Sequence, residues 1–121
     1  MGNDITLLKS IVFYCGQIEK MIKRFGEEEY DFMSDDAYQY TVSFCISQIG
    51  EAINRLSAEL TEKYPEVHWR GIYGMRNIIS HAYSDIDLEK IWNTTIEEIP
   101  MLKETCEKIL RELRPQKPSA L

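Results

Sequence analysis

Several features are scarce or missing in this sequence of 121 residues. It has only 6 glycines and 4 prolines, so it offers few turns and predicts long secondary-structure elements. No apolar run approaches the roughly 20 residues that cross a bilayer. The N-terminal MGNDITLLKS also lacks the basic and apolar segments of a secretion signal. These absences predict a cytoplasmic protein without a membrane segment.

Paired cysteines are missing as well. The three cysteines, Cys15, Cys45 and Cys106, are far apart and none belongs to a CxxC pair. Each occupies a position in an apolar periodic pattern, which is typical of a small buried hydrophobic residue. They predict neither disulfides nor a metal site, and they fit a reducing compartment.

Acidic residues are abundant overall but absent from one window. The formal net charge is −6, which does not favour nucleic-acid binding, since affinity for phosphates comes largely from Lys and Arg. From Val67 to Ser84, however, there is no Asp or Glu, although the chain has 20 of them. Both histidines and two arginines lie in this window: His68, Arg70, Arg76 and His81.

Apolar residues recur at spacings of three and four along most of the chain, which indicates amphipathic helices. The pattern predicts a first helix over 4–25 capped by Gly26. It predicts a second helix that begins at Ser34 or Asp35, carries its apolar stripe to Leu60 and is ended by YPE at 64–66. It predicts a third helix from Trp69 to Tyr83, a fourth capped by Asp85 or Asp87, and a kink or a fifth helix at Pro100.

The predicted fold is therefore all-α, an antiparallel bundle of four to five helices in one domain over 1–114. The acidic segment GEEEYDFMSDD is expected to be a connection, and the tail over 115–121 is expected to be disordered. Gly50, inside the second helix, suggests a close approach between two helices.

The third helix contains the stretch RNIISHAY, Arg76 to Tyr83. At about 100° per residue, its apolar side chains gather on one arc and its polar ones on the opposite arc, with Tyr83 at the boundary. The apolar arc holds Ile72, Met75, Ile78, Ile79 and Ala82, and the polar arc holds Tyr73, Arg76, Asn77, Ser80, His81 and Ser84.

The polar arc suggests chemistry on phosphate. Histidine can take and give a proton near neutral pH, and arginine offers a fork of donors that suits phosphate oxygens. Asn77 and Ser80 add neutral hydrogen bonds, and no carboxylate lies nearby in the sequence, which argues against a two-metal nuclease. Metal-free RNA cleavage fits best, because the 2′-hydroxyl of the substrate supplies the nucleophile.

Such a reaction needs both a base and an acid, and the stretch supplies one histidine. Either a two-fold dimer brings two copies of His81 together, or His68 of the same chain is the second group. A purely structural role for the polar arc also stays open, because a single Arg/His pair on a helix is usually a solvated face.

The stretch fits the pattern R-x4-H-x-Y, and the chain resembles the HepT-like ribonuclease toxins of the HEPN superfamily. IGEAINRLSAEL precedes the pattern, YPEVHWRGIYGMRN leads into it and DIDLEKIW follows it, so that the resemblance covers about residues 5–110. It implies a dimeric helical bundle with a metal-independent ribonuclease site at the interface. Arg76 would stabilise the scissile phosphate, His81 would be the general acid and base, and Asn77 would support the site.

The resemblance also implies a partner, a nucleotidyltransferase antitoxin of the MNT type that transfers AMP to the tyrosine of the pattern, Tyr83 here. ATP and Mg²⁺ would belong to that partner, and this chain would need no cofactor. Two alternatives remain beside the toxin: a non-catalytic HEPN adaptor that binds nucleotide or the partner, and a helical dimerisation domain.

Overall fold

The structure, a computed structural model, describes residues 2–81 and 84–113. All the regular secondary structure in these residues is helical. The helices are α1 (Gly2–Phe25), α2 (Glu29–Met33), α3 (Asp36–Arg55), α4 (Ala58–Lys63), α5 (Trp69–Ser80), α6 (Asp85–Glu97) and α7 (Ile99–Leu113). The all-α prediction is confirmed, with five long helices and two short ones over those residues. Over the same residues, no helix combines the length and the apolar character that a bilayer crossing requires. The predicted tail falls outside the described residues.

The core lies between α1, α3, α5 and α7, because α1 packs against α3 and α7 while α3 also packs against α5. α3 is therefore the middle helix of a layer whose outer helices are α1 and α5. The apolar stripes predicted from the spacing face this core, and both tryptophans, Trp69 and Trp92, are buried. Fully buried side chains include Leu8, Ile11, Cys15, Ile18, Val42, Ile46, Ile49, Ile72, Leu102, Cys106 and Ile109.

Two predicted caps are confirmed. Asp35 precedes α3, and its carboxylate accepts a hydrogen bond from the Tyr38 backbone N–H. Gly26 follows α1 with a φ of 125°, a conformation that glycine adopts without steric cost.

Four predicted boundaries are wrong. The acidic connection contains α2, and the second long helix ends at Arg55, because Ser57 starts the separate helix α4 with its hydroxyl accepting from the Leu60 N–H. The third helix ends at Ser80 and not at Tyr83. Ser84 caps α6 in place of either aspartate, since its hydroxyl accepts from the Asp87 N–H.

Candidate active site

α5 presents one buried and one open face, as its sequence predicts. Trp69, Ile72 and Met75 are buried against the bundle. The opposite side forms a shallow recess of about 240 Å³, lined by Tyr73, Gly74, Arg76, Asn77 and Ser80. The structure thus brings three predicted site residues, Arg76, Asn77 and Ser80, into one concave surface.

Arg76 lies between Gly50 of α3 and the ring of Tyr73. A Cβ added to Gly50 of α3 would lie 2.8 Å from Cγ of Arg76, so the arginine stem occupies the space that the glycine leaves. The guanidinium carbon lies 5.7 Å from the centroid of the Tyr73 ring, a cation–π distance. Because the side chain is still 41% exposed, its donors can reach a ligand in the recess.

A carboxylate approaches this arginine, contrary to the sequence argument. Oε1 of Glu51 lies 3.4 Å from Nη1 of Arg76. Glu51 is distant in sequence, and only the packing of α3 beside α5 brings it to the site. Gly50, the residue before Glu51, was the only feature of the sequence that pointed to this proximity. A glycine within a helix predicts a close approach by another helix, but it does not indicate which helix approaches.

His81 ends α5 and is exposed. Its backbone N–H donates to the carbonyl oxygens of Ile78 and Ile79, which anchors the histidine at the end of the helix. The hydroxyl of Ser80 donates to the Arg76 carbonyl at 2.9 Å, so this side chain turns back onto the helix. Tyr83, the predicted modification site, lies outside the described residues.

The second histidine lies at the opposite end of the same helix. His68 precedes the first residue of α5, and its Nδ1 lies 3.4 Å from Oε1 of Glu98. Thirteen residues separate it from His81, which at 1.5 Å per residue is roughly 20 Å along the helix. The two histidines of one chain therefore cannot act on the same phosphate.

The cysteines take no part in this surface. All three are buried and free, as their positions predicted. Burial raises the pKa of the Cys45 thiol to about 11 and that of Cys106 to about 12, which leaves little reactive thiolate at neutral pH. Within residues 2–81 and 84–113, no three His, Cys, Asp or Glu side chains lie close enough together to hold a metal ion.

Comparison with known proteins identifies the family. The model of the family described as "Ribonuclease HepT-like" matches residues 13–109, which are most of the chain. The chain belongs to the HepT-like ribonuclease family. This membership confirms the predicted resemblance and supports ribonuclease activity at the coarse level of the family. No solved structure matches the chain.

Two relatives from Methanocaldococcus jannaschii cover nearly the whole chain. The protein named "Putative RNase MJ0125" is 34% identical over 106 residues, which are 88% of this chain and 90% of the relative. The protein named "Putative RNase MJ1216" is 32% identical over 94% of this chain and 93% of the relative. A shorter match, 35% identical over 65% of this chain and 72% of the relative, is with "Probable ribonuclease HepT" of Thermococcus cleftensis.

Proposed function

We propose that this chain is a metal-independent endoribonuclease that acts as the toxin of a toxin–antitoxin pair and cleaves RNA with Arg76 and His81. The observation that carries the proposal is the recess on α5, which opens toward solvent and is lined by Arg76. This arginine is half-exposed and contacts Gly50 and the ring of Tyr73. Membership of the HepT-like ribonuclease family supports RNA as the substrate.

The reaction needs only proton transfer and charge stabilisation from the protein. A neutral imidazole takes the proton of the 2′-hydroxyl, whose oxygen then attacks the adjacent phosphorus. The bond from phosphorus to the 5′-oxygen breaks, and an imidazolium gives its proton to that oxygen. The products are a 2′,3′-cyclic phosphate and a free 5′-hydroxyl. The Arg76 guanidinium neutralises the charge that grows on the non-bridging oxygens.

Two imidazoles are required, and one chain supplies one of them at this surface. Because His68 lies roughly 20 Å from His81 along α5, the second imidazole comes from His81 of another copy. Each copy then contributes one His81 and one Arg76 to a shared cleft. Asn77, which lines the same recess, adds a neutral hydrogen bond to the RNA backbone, and Ser80, whose hydroxyl proton is donated to the Arg76 carbonyl, supports the site by accepting a hydrogen bond from a 2′-hydroxyl.

The family resemblance extends the proposal to regulation. A partner nucleotidyltransferase of the MNT type binds ATP and Mg²⁺, and the hydroxyl of Tyr83 attacks the α-phosphorus of ATP with release of pyrophosphate. The tyrosine then carries AMP two residues beyond His81. Its anionic phosphate competes with RNA for Arg76, so modification inhibits the nuclease.

The deciding experiment is RNA cleavage by the purified, unmodified protein in excess EDTA. The parent and a His68→Ala variant are expected to leave cyclic phosphate ends, whereas His81→Ala and Arg76→Ala are expected to leave RNA intact. The His68 variant is the matched control, since it removes the chain's other exposed imidazole. Cleavage by His81→Ala at the parental rate would contradict the assignment, and cleavage that requires an added divalent metal would contradict metal independence.

The toxin role has its own test. Expression of the chain alone is expected to arrest growth, and co-expression of the partner nucleotidyltransferase is expected to relieve the arrest together with a gain of AMP mass on Tyr83. A Tyr83→Phe chain should stay toxic in the presence of the partner, while Tyr73→Phe should still be neutralised. If the partner relieved the growth arrest caused by the Tyr83→Phe chain, modification of this tyrosine would not be the mechanism of inhibition.

A second candidate is a non-catalytic adaptor, favoured by the net charge of −6 and by the carboxylate of Glu51 beside Arg76. Both features weaken attraction for RNA. An adaptor would bind nucleotide or the partner and leave RNA intact in every arm of the EDTA experiment.

A further inference from the structure

A second cavity adjoins the recess of the candidate active site. It has a volume of about 210 Å³ and lies between the end of α3, the short helix α4 and the first turns of α5. Tyr73 lines both this cavity and the recess that contains Arg76. We refer to the second cavity as the side pocket. Because one side chain forms a wall of both spaces, a strand bound in the recess can continue into the side pocket.

The floor of the side pocket is apolar and fixed in position. Ile53, Leu56 and Trp69 are all buried, and the indole N–H of Trp69 donates to the Tyr64 carbonyl at 2.9 Å, which holds the plane of the ring. An apolar cavity of roughly 150 Å³ holds benzene, whereas pockets for drug-sized ligands measure roughly 300–1,000 Å³. The volume of the side pocket lies between these values, so it suits a single flat ring system.

Neutral polar side chains stand at the rim of the side pocket. Asn54 is exposed, and its amide offers two donors and an acceptor. The Thr61 hydroxyl donates to the Ala58 carbonyl at 3.2 Å, so its oxygen can accept a hydrogen bond from a ligand. A nucleobase satisfies both the floor and the rim, because it has an apolar face and hydrogen-bonding groups along its edge.

The side pocket lies about one helical turn from the arginine of the candidate site. Along α3, Asn54 follows Gly50, which contacts Arg76, by four residues or roughly 6 Å. Along α5, Tyr73 precedes Arg76 by three residues or roughly 4.5 Å. A base attached next to a phosphate at Arg76 can therefore reach the side pocket.

Arg70 supplies a cation to the side pocket and has no part in the proposed reaction. It is exposed and lines the pocket together with Tyr73. On α5 it lies within about 20° of Asn77 and His81 around the helix axis, and roughly 10 Å and 16 Å from them along that axis. Among the described residues that line the recess and the side pocket, none is Asp or Glu. A phosphate beside the pocket thus meets a guanidinium without a competing carboxylate in the lining.

We infer that the side pocket receives an unpaired base of single-stranded RNA beside the scissile phosphate, and that Arg70 binds a phosphate further along the same strand. The inference rests on the proposed function, because it concerns the RNA that Arg76 and His81 cleave. It adds a preference for single strands, since a base that is paired and stacked in a duplex cannot enter the pocket.

A side chain of another protein is the competing occupant, because pockets at interfaces receive aromatic anchors. The rim of the side pocket disfavours it. An apolar anchor would offer no partner to the Asn54 amide or the Arg70 guanidinium, whereas a nucleotide offers a base edge to the first and a phosphate to the second.

The first test is cleavage of single-stranded oligonucleotides of increasing length in excess EDTA. The kcat/KM of the parent is expected to rise once the strand is long enough to reach Arg70. Arg70→Ala is expected to lower kcat/KM for such strands by roughly tenfold, the effect of one lost hydrogen bond to a charged group. Arg55→Ala is the matched control, because Arg55 is exposed at the end of α3 and does not line the pocket. Equal losses in the two variants, or a loss in Arg70→Ala that is independent of strand length, would overturn the inference.

The second test is the choice of base. Strands that differ only in the base next to the cut are expected to be cleaved by the parent at unequal rates, and Asn54→Ala is expected to reduce that inequality by roughly threefold or more, because a hydrogen bond to the base edge is lost. Asn93→Ala removes the same amide from an exposed position on α6 and should leave the choice of base as in the parent. Parental rates that are equal for all four bases, or equal to those on a duplex of the same sequence, would contradict a base in the side pocket.

Binding of single-stranded RNA separates the side pocket from the nuclease. Binding by the parent that Arg70→Ala weakens more than Arg55→Ala does, without cleavage in EDTA, would support the side pocket and contradict the nuclease. Cleavage by the parent with Arg70→Ala and Asn54→Ala each matching its control would support the nuclease and overturn the side pocket. A change in the sedimentation of Arg70→Ala, with RNA binding as in Arg55→Ala, would overturn the inference in favour of a protein side chain. RNA that is neither bound nor cleaved would contradict both proposals.

Discussion

A glycine in α3 makes room for the arginine of the candidate site. Because an added Cβ at position 50 would lie 2.8 Å from Cγ and 2.9 Å from Cδ of Arg76, the arginine stem would have to move aside. The obstacle is a flexible side chain and not backbone, so the helices themselves need not separate. Gly50 therefore affects where the guanidinium points more than whether the protein folds.

The variant Gly50→Ala separates these two effects. We expect RNA cleavage to fall by roughly tenfold or more, because a misplaced group loses much of its contribution to the transition state. The free energy of unfolding should change by less than about 1 kcal/mol, since the better helix propensity of alanine offsets the displaced contact. Cleavage rates and urea denaturation would measure both, with Gly16→Ala as the stability control because nothing lies within 4 Å of its added Cβ. Undiminished cleavage would show that Arg76 keeps its position.

The carboxylate of Glu51 competes with phosphate for the same guanidinium. Glu51→Gln in a His81→Ala background, which keeps RNA intact, should tighten RNA binding by roughly two- to fivefold, the range expected for an exposed ion pair. Glu104→Gln removes the same charge from an exposed position on α7 and should have a smaller effect. Binding measured at two salt concentrations would test this. Equal tightening by both variants would mean that net charge alone governs affinity.

At the scale of the helix, local signals predicted the elements but not all of their ends. Periodic apolar residues located the five long helices, and Asp35 and Gly26 marked two of their ends through local hydrogen bonding and backbone conformation. The break after Arg55 could not be predicted in this way. It depends on Ser57, whose backbone N–H and hydroxyl both donate to Asp4, 53 residues earlier in the chain.

The same limit applies to the candidate site. Arg76, Asn77 and Ser80 could be placed on one face of α5, because that prediction needs only the period of a helix. Glu51 could not be placed beside them, since its proximity follows from the packing of α3 against α5. The separation of His68 from His81 follows from the length of α5 alone, but only once both ends of that helix are known.

Ser57 links α1 to α4, and its replacement should lower the free energy of unfolding. Its hydroxyl donates to the buried carboxylate of Asp4 at 2.7 Å and accepts from the Leu60 N–H, so it connects α1 to the start of α4. Ser57→Ala should cost about 1–2 kcal/mol of unfolding free energy. Ser34→Ala, which removes an exposed hydroxyl bonded to the Tyr30 carbonyl, should cost less than about 0.5 kcal/mol. Equal losses in urea denaturation would contradict the connecting role of Ser57.

At the scale of the whole molecule, the described part of the chain buries several thiols and phenols whose ionised forms the fold disfavours. Burial raises the pKa of all three cysteines and raises that of Tyr38 to about 12. The pKa of Tyr64 is also raised to about 12, first because its hydroxyl donates to Glu112 and then because it is buried. A pKa that is higher in the folded than in the unfolded state means that the unfolded chain loses protons first as the pH rises.

These groups should therefore leave the free energy of unfolding unchanged near neutral pH. They should lower it above about pH 9, where thiols of the unfolded chain ionise. Each group that is ionised only in the unfolded state lowers the free energy of unfolding by about 1.4 kcal/mol per pH unit. Urea denaturation at pH 8, 9.5 and 10.5 under reducing conditions would follow the decline. Cys106→Ala should begin less stable and decline less steeply, because one ionisable group is gone. A free energy of unfolding that stays level to pH 10.5 would show that these thiols ionise as readily in the folded protein as in the unfolded chain.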